Sequence, residues 1–232
     1  MVLYRMAFAA VAFDLDGTLY PNYRLNIRLI PFILREWPLL LAFGHARDRL
    51  RAAEKPEERI LPGENFYAAQ ARLVAAGLRI PYTPSLRDKI ERLIYQGWAV
   101  HFRSIRLYPF VRETLDSLHR AGLKLALLSD FPPELKLRHL GLDRIWDLVL
   151  CSEAIGALKP ASLPFKELAR GLDMEPERIL YVGNSVSYDI RGAKASGLRA
   201  ALLSSPRKSP NRAAGADFIF SDYRKLTQYV LG

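Results

Sequence analysis

The chain has one cysteine, Cys151, among 232 residues, so no internal disulfide can form. That usage fits a reducing compartment. Cys151 closes the apolar run 148–151 and is expected as a buried strand residue rather than a nucleophile. No uncharged run approaches the ~20 residues of a membrane-spanning helix, and the nearest, 37–44, is far too short. Residues 1–12 pair Arg5 with an apolar run, yet lead into an acidic pair without a cleavage region. They are expected as a first strand rather than a signal peptide, and the protein as cytoplasmic. Internal repeats, low-complexity tracts and Lys/Arg blocks are all missing.

Charge is in surplus. Lys and Arg number 34 against 24 Asp and Glu, a formal net charge of +10. The basic residues are scattered among acids and match no nucleic-acid motif. General solvation with some attraction for anions is therefore expected, and no specific nucleic-acid partner. Half of the residues are hydrophobic, enough for one large domain or a domain with a smaller insert.

From residue 106 onward, strand-like and helix-like patterns alternate. Strands are expected at 123–128, 148–151, 178–182, 199–203 and 217–220, and helices at 112–121, 134–140, 164–170 and 189–195. With a first strand at 7–13, this alternation predicts an α/β fold, a doubly wound parallel sheet with helices on both faces. Residues 20–105 break the pattern. They carry helix-like stretches at 27–36, 46–53, 65–76 and 85–95, punctuated by Pro56, Pro62, Pro81 and Pro84. The expected organisation is a core of residues 1–19 and 106–232 with an α-helical cap domain inserted at 20–105. An insert so placed can act as a lid. The apolar stretch 27–43 is expected as cap core.

Phe13-Asp14-Leu15-Asp16-Gly17-Thr18-Leu19 directly follows the first apolar run. Two carboxylates two residues apart on an extended segment share a side, at the strand end where open α/β sheets place their chemistry. Such a pair suits holding a hard cation, or one acid attacking phosphorus while the other carries the proton. Three further segments bring polar groups to the same edge: Ser129-Asp130, Lys159-Pro160, and Gly183-Asn184-Ser185 with Asp189 beyond.

In this order and spacing, the four segments resemble the four motifs of the haloacid dehalogenase (HAD) superfamily. The similarity spans about residues 7–221 and is greatest to phosphatases with a helical cap after the first motif, the phosphoglycolate phosphatase-like subfamily IA. The resemblance implies a Rossmann-like core and Mg²⁺-dependent hydrolysis of a small phosphorylated metabolite through an aspartyl-phosphate. It implies Asp14 as nucleophile, Asp16 as general acid/base and Lys159 as the charge-neutralising cation. Ser129 would donate to a phosphoryl oxygen, Asp130 would offer its backbone N–H, and Thr18 would bond Asp16 or the backbone and fix the Asp16 rotamer. Asp14, the Asp16 carbonyl, Asn184 and Asp189 would hold Mg²⁺. Asn184 departs from the family pattern, which has aspartate there, and removes one negative charge.

Alternatives of the same fold are a phosphomutase, a dehalogenase, which would lack the second acid, and a non-catalytic phosphate-binding protein. A monomer or homodimer is expected. Candidate cap contacts to substrate are Tyr20, Tyr23, Arg24, His101 and Arg103.

Overall fold

The computed structural model describes residues 8–52, 60–97, 102, 105–204 and 215–232, with the side chains of 24–26 and 28 excepted. The first strand is β1 (Ala10–Phe13). Three helical segments follow, α1 (Asn22–Arg51), α2 (Phe66–Leu78) and α3 (Pro84–Ile90), the last running on through a π-helical turn at Glu91–Gln96. Alternation then sets in: α4 (Val111–Arg120), β2 (Lys124–Ser129), α5 (Glu134–Leu140), β3 (Leu148–Cys151), α6 (Ser152–Ile155) and α7 (Ser162–Leu172). The chain ends with β4 (Ile179–Gly183), a π-helical turn at Val186–Ile190, α8 (Arg191–Ala195), β5 (Arg199–Leu203), β6 (Phe218–Phe220) and α9 (Tyr223–Leu231).

All six strands are parallel, in the order β3-β2-β1-β4-β5-β6. β1 is central, bonded to β2 on one side and β4 on the other. The connections turn opposite ways around it, which opens a crevice beyond its C-terminal end.

Strand period sorts the side chains to two faces. Val11, Phe13, Leu125, Leu127, Leu180 and Val182 pack on one face with Leu115 and Leu118 of α4 and Leu226 of α9. Ala10, Ala12, Ala126, Leu128, Ile179 and Tyr181 pack on the other with Phe165 and Leu168 of α7 and Ala193 of α8. Burial on both faces explains why the central strands read as continuous apolar runs. The expected doubly wound α/β sheet is what the chain forms.

Helices α1 to α3 share a third cluster, with Phe43 and Leu50 of α1, Val74 of α2 and Ile90 of α3 around it. Leu158, from the loop before α7, belongs to that cluster, and Phe131, just past β2, packs against it. Helices α1 to α3 therefore sit on the loops at the C-terminal edge of the sheet.

Three local expectations need correction. The stretches read as separate helices at 27–36 and 46–53 fall, as far as Arg51, in one helix, bent at Glu36 (φ −109°, ψ 20°), and residue 53 lies outside the described residues. Pro38 causes the bend, because it lacks an N–H and crowds the carbonyl four residues back. The stretch 27–43 is not a core throughout. Leu29, Leu39, Ala42 and Phe43 are buried, but Ile27 is 61% exposed, Leu34 76% and Trp37 56%. Cys151 lies in a strand as expected, but β3 is an edge strand and leaves it half-buried. Burial pushes its thiol up to about 11, which makes it a poor nucleophile. No helix among the described residues is long and apolar enough to cross a membrane.

Candidate active site

Asp14 leaves the end of β1 with its N–H donating to Val182 O at 2.9 Å, which ties the loop start to β4. Its side chain is buried. Lys159 Nζ donates to Asp14 Oδ1 at 2.7 Å, and the Thr18 hydroxyl donates to Oδ2 at 2.8 Å. Burial pushes the Asp14 carboxyl up to about 7, the Lys159 ammonium opposes this, and Asp189 and Asp16 add to the rise. Gly17 makes the turn directly after the two acids at φ +89°, a conformation L side chains rarely adopt.

Lys159 is fully enclosed. It also donates to Asp189 Oδ1 at 2.7 Å and to the Tyr181 hydroxyl at 3.0 Å. Burial alone would lower its pKa, but Asp14 and Asp189 outweigh that and hold it well above the ordinary lysine value. Asp189 has both oxygens committed. Its Oδ2 accepts from the backbone N–H groups of Asn184 (3.1 Å) and Ser185 (3.0 Å).

Asp16 faces other partners. Lys136 Nζ donates to both its oxygens, at 2.7 and 2.6 Å, and the Tyr20 hydroxyl donates to Oδ1. The Lys136 ammonium also lies 5.3 Å from the Phe102 ring centroid and 5.2 Å from that of Phe131. Burial, with Asp16 adding to it, holds the Tyr20 hydroxyl well above its ordinary pKa, so it donates rather than ionises.

Ser129, the last residue of β2, is fully buried, and its hydroxyl accepts from the Phe131 N–H at 3.3 Å. Asp130 does not face an open site. Its Oδ1 accepts from the Lys159 backbone N–H at 3.1 Å, and its Oδ2 from Arg51 Nη2 at 2.9 Å. Thr18 holds Asp14 and not Asp16, because Gly17 turns its hydroxyl back toward the strand end.

A second polar layer joins α1 and α2 to the sheet loops. Arg47 of α1 donates to Glu153 of α6 and to Gln70 of α2, and its guanidinium lies 3.9 Å from the Phe131 ring centroid. Arg51 lies 4.5 Å from the Tyr188 ring centroid. Burial raises the Glu153 carboxyl to about 6, opposed by Arg47. The same pair, with Asp130, holds Arg47 charged. Two cavities flank the acids. One of about 390 Å³ lies between α2, α3 and α5, with Lys136 on its wall. Another of about 530 Å³ borders Gly17 and Asn184.

Sequence reasoning brought Asp14, Asp16, Thr18, Ser129, Asp130, Lys159, Asn184 and Asp189 to one edge, and they do converge there. It missed Lys136, Arg47, Arg51 and Glu153. A lone lysine one turn into a helix and arginines in a long helix carry no local signature. Among the cap candidates, Tyr20 is on Asp16 and Tyr23 is exposed. His101, Arg103 and the Arg24 side chain lie outside the described residues.

Among the described residues, no three carboxylate, imidazole or thiol side chains group as a metal site. Oxygens of mixed type fit a hard cation better here. Thr18 Oγ1 lies 2.8 Å from Asp14 Oδ2 and 3.4 Å from Asn184 Oδ1, so both oxygens reach one small region.

Sequence comparison matches residues 8–197 to the haloacid dehalogenase-like hydrolase family. The chain belongs to that family. A ribulose-1,5-bisphosphate 5-phosphatase of Halopiger xanaduensis is 34% identical, over 95% of this chain and 98% of its own length. A phosphoglycolate phosphatase of Haemophilus influenzae is 26% identical, over 94% and 96%. Among solved structures, a dehalogenase with an intermediate complex superposes with a TM-score of 0.69 at 18% identity, covering 98% of this chain and 99% of its own. A HAD phosphatase of Thermococcus onnurineus gives 0.62 at 22%, covering 97% and 98%. The superpositions establish the haloacid dehalogenase-like fold, and the family match makes the chain a hydrolase.

Proposed function

We propose that this hydrolase is a phosphomonoesterase acting on a small phosphorylated metabolite. The observation that carries this reading is the second acid. Asp16 stands two residues beyond Asp14 with its own partners, Lys136 and Tyr20, separate from the Lys159–Asp14 pair. Attack on carbon with halide departure needs no proton for the leaving group, whereas an alkoxide leaving phosphorus does. The relatives of about the same length are themselves named as phosphatases.

In this reading Asp14 attacks phosphorus. An aspartyl oxygen–phosphorus bond forms, the ester P–O bond breaks, and the leaving oxygen takes a proton from Asp16. Water then attacks phosphorus and gives its proton to Asp16, the aspartyl–phosphorus bond breaks, and phosphate departs. Lys159 offsets charge on Asp14 and the phosphoryl oxygens. Ser129 donates its hydroxyl to one of those oxygens, and Thr18 keeps Asp14 in its rotamer. Mg²⁺ held by Asp14, the Asp16 carbonyl and Asn184 would supply charge neutralisation for the phosphoryl group. Asp189, with both oxygens committed, anchors Lys159 and the Asn184 loop. The helical insert, residues 20–105, serves as a cap that excludes water and selects the leaving group.

The test is hydrolysis of p-nitrophenyl phosphate with and without Mg²⁺, alongside Asp14→Asn. Mg²⁺-dependent turnover abolished by Asp14→Asn is the expected result. Turnover that survives the substitution refutes the mechanism.

A further inference from the structure

Asp16 must present one oxygen to the leaving group, yet both of its oxygens are taken by one ammonium, at 2.7 and 2.6 Å. Tyr20 also donates to Oδ1. The pair is poorly solvated, with the Lys136 side chain 11% exposed. Something must draw Lys136 away before Asp16 can serve. A neutral hydroxyl cannot, because removing a partner from such a pair leaves an uncompensated charge. A second anion can.

The place for that anion is open to Lys136. Lys136, whose ammonium holds Asp16, is also a wall residue of the 390 Å³ cavity, together with Tyr67 and Gln70 of α2, Arg87 of α3 and Tyr95. The cavity's two glutamates, Glu91 and Glu134, are exposed to solvent, while Lys136 lies inward of them. Because Asp16 touches the leaving oxygen in the proposed chemistry, the body of the leaving group lies on the Asp16 side, toward Lys136 and this cavity.

We infer that Lys136 exchanges partners, binding Asp16 in the empty site and an anionic group of the substrate's leaving portion in the complex. The substrate class is therefore a phosphate monoester carrying a second anion, a carboxylate or another phosphate. This rests on the phosphomonoesterase reading and deepens it. Lys136 is a positioning residue for Asp16 and a specificity residue for the substrate. A neutral ester leaves Asp16 pinned and turns over slowly.

The experiment measures kcat and KM for three pairs of increasing reach. They are 2-phosphoglycolate against 2-hydroxyethyl phosphate, 3-phosphoglycerate against glycerol 3-phosphate, and ribulose 1,5-bisphosphate against ribulose 5-phosphate. The wild type should favour the anionic member of at least one pair by about tenfold or more in kcat/KM, ~1.4 kcal/mol or above. Part of that preference should lie in kcat, since releasing Asp16 acts on the chemical step. Lys136→Gln should bring the ratio to within about twofold, and Lys136→Arg should restore part of it. A lysine needed only for folding would lower both members alike.

Asp14-dependent turnover without preference in any pair overturns the inference and leaves the phosphatase standing, as does a preference unchanged in Lys136→Gln. If Lys136→Gln does not fold by circular dichroism, Lys136→Arg decides, because a guanidinium of different reach must alter the ratio. An unaltered ratio there also overturns the inference. No Asp14-dependent turnover of any ester removes the phosphatase reading itself.

Discussion

Lys159 binds Asp189 as closely as it binds Asp14, at 2.7 Å to each carboxylate. The cation on the proposed nucleophile is thus held from behind by an acid with both oxygens engaged. Substituting Asp189→Ala leaves a buried ammonium half-compensated and frees two backbone N–H groups. Breaking buried pairs costs about 3–5 kcal/mol. A fall of that order in unfolding free energy, by denaturant titration, is expected, together with loss of activity. Unchanged stability would show that the pair anchors nothing.

Asn184 tests whether charge sets metal affinity. It puts an amide oxygen within 3.4 Å of Thr18 Oγ1, next to Asp14. Asn184→Asp adds one negative charge there, and ligand charge count tunes the affinity of such sites for hard cations. The half-saturating Mg²⁺ concentration should fall by about tenfold or more. Equal Mg²⁺ dependence in the two proteins sinks the charge argument, and activity that persists in chelator sinks the metal.

A side chain at Gly17 would be strained and would displace two asparagine side chains. A Cβ there would lie 2.3 Å from Asn184 Nδ2 and 2.7 Å from Asn22 Nδ2, with φ already at +89°. Gly17→Ala should cost about 1–2 kcal/mol for the left-handed backbone alone and displace Asn184. A lower melting temperature with weakened Mg²⁺ response is expected. A variant with wild-type metal response would place Asn184 outside the metal site.

Glu153 gives the fold a pH dependence of known sign. Its folded pKa of about 6 stands above the ordinary 4.5, so the folded protein keeps a proton the unfolded chain has released. Stability from this group is complete below about pH 4.5 and is lost as pH rises through about 6. The loss is about 2 kcal/mol. Glu153→Gln cannot titrate. Wild type should therefore weaken relative to it between about pH 4 and 7 in melts at matched ionic strength. A difference constant with pH would show that folding does not shift the Glu153 carboxyl.

The strands were legible because two-sided burial leaves an unbroken apolar signature, as in 125–128 within the expected strand 123–128, which the fold realises as Lys124–Ser129. Asp14, Ser129 and Asn184 were legible because they end or follow strands. Lys136 was not, since its bond to Asp16 spans 120 residues. The Arg47–Glu153 contact likewise spans 106. Hydrophobicity misled at Ile27, Leu34 and Trp37, where an apolar helix face stays in solvent because α2 and α3 pack against the later part of α1.

The central place of β1 has a kinetic corollary. Both of its edges are bonded, to β2 and β4, and residues 10–13 are wholly enclosed. Their amides should exchange with solvent deuterium only through global opening. Amides of α1 to α3 should exchange through smaller openings that leave the sheet intact. The residue proposed to be phosphorylated thus extends from the segment expected to let go last, while the helices proposed to cap it should let go first.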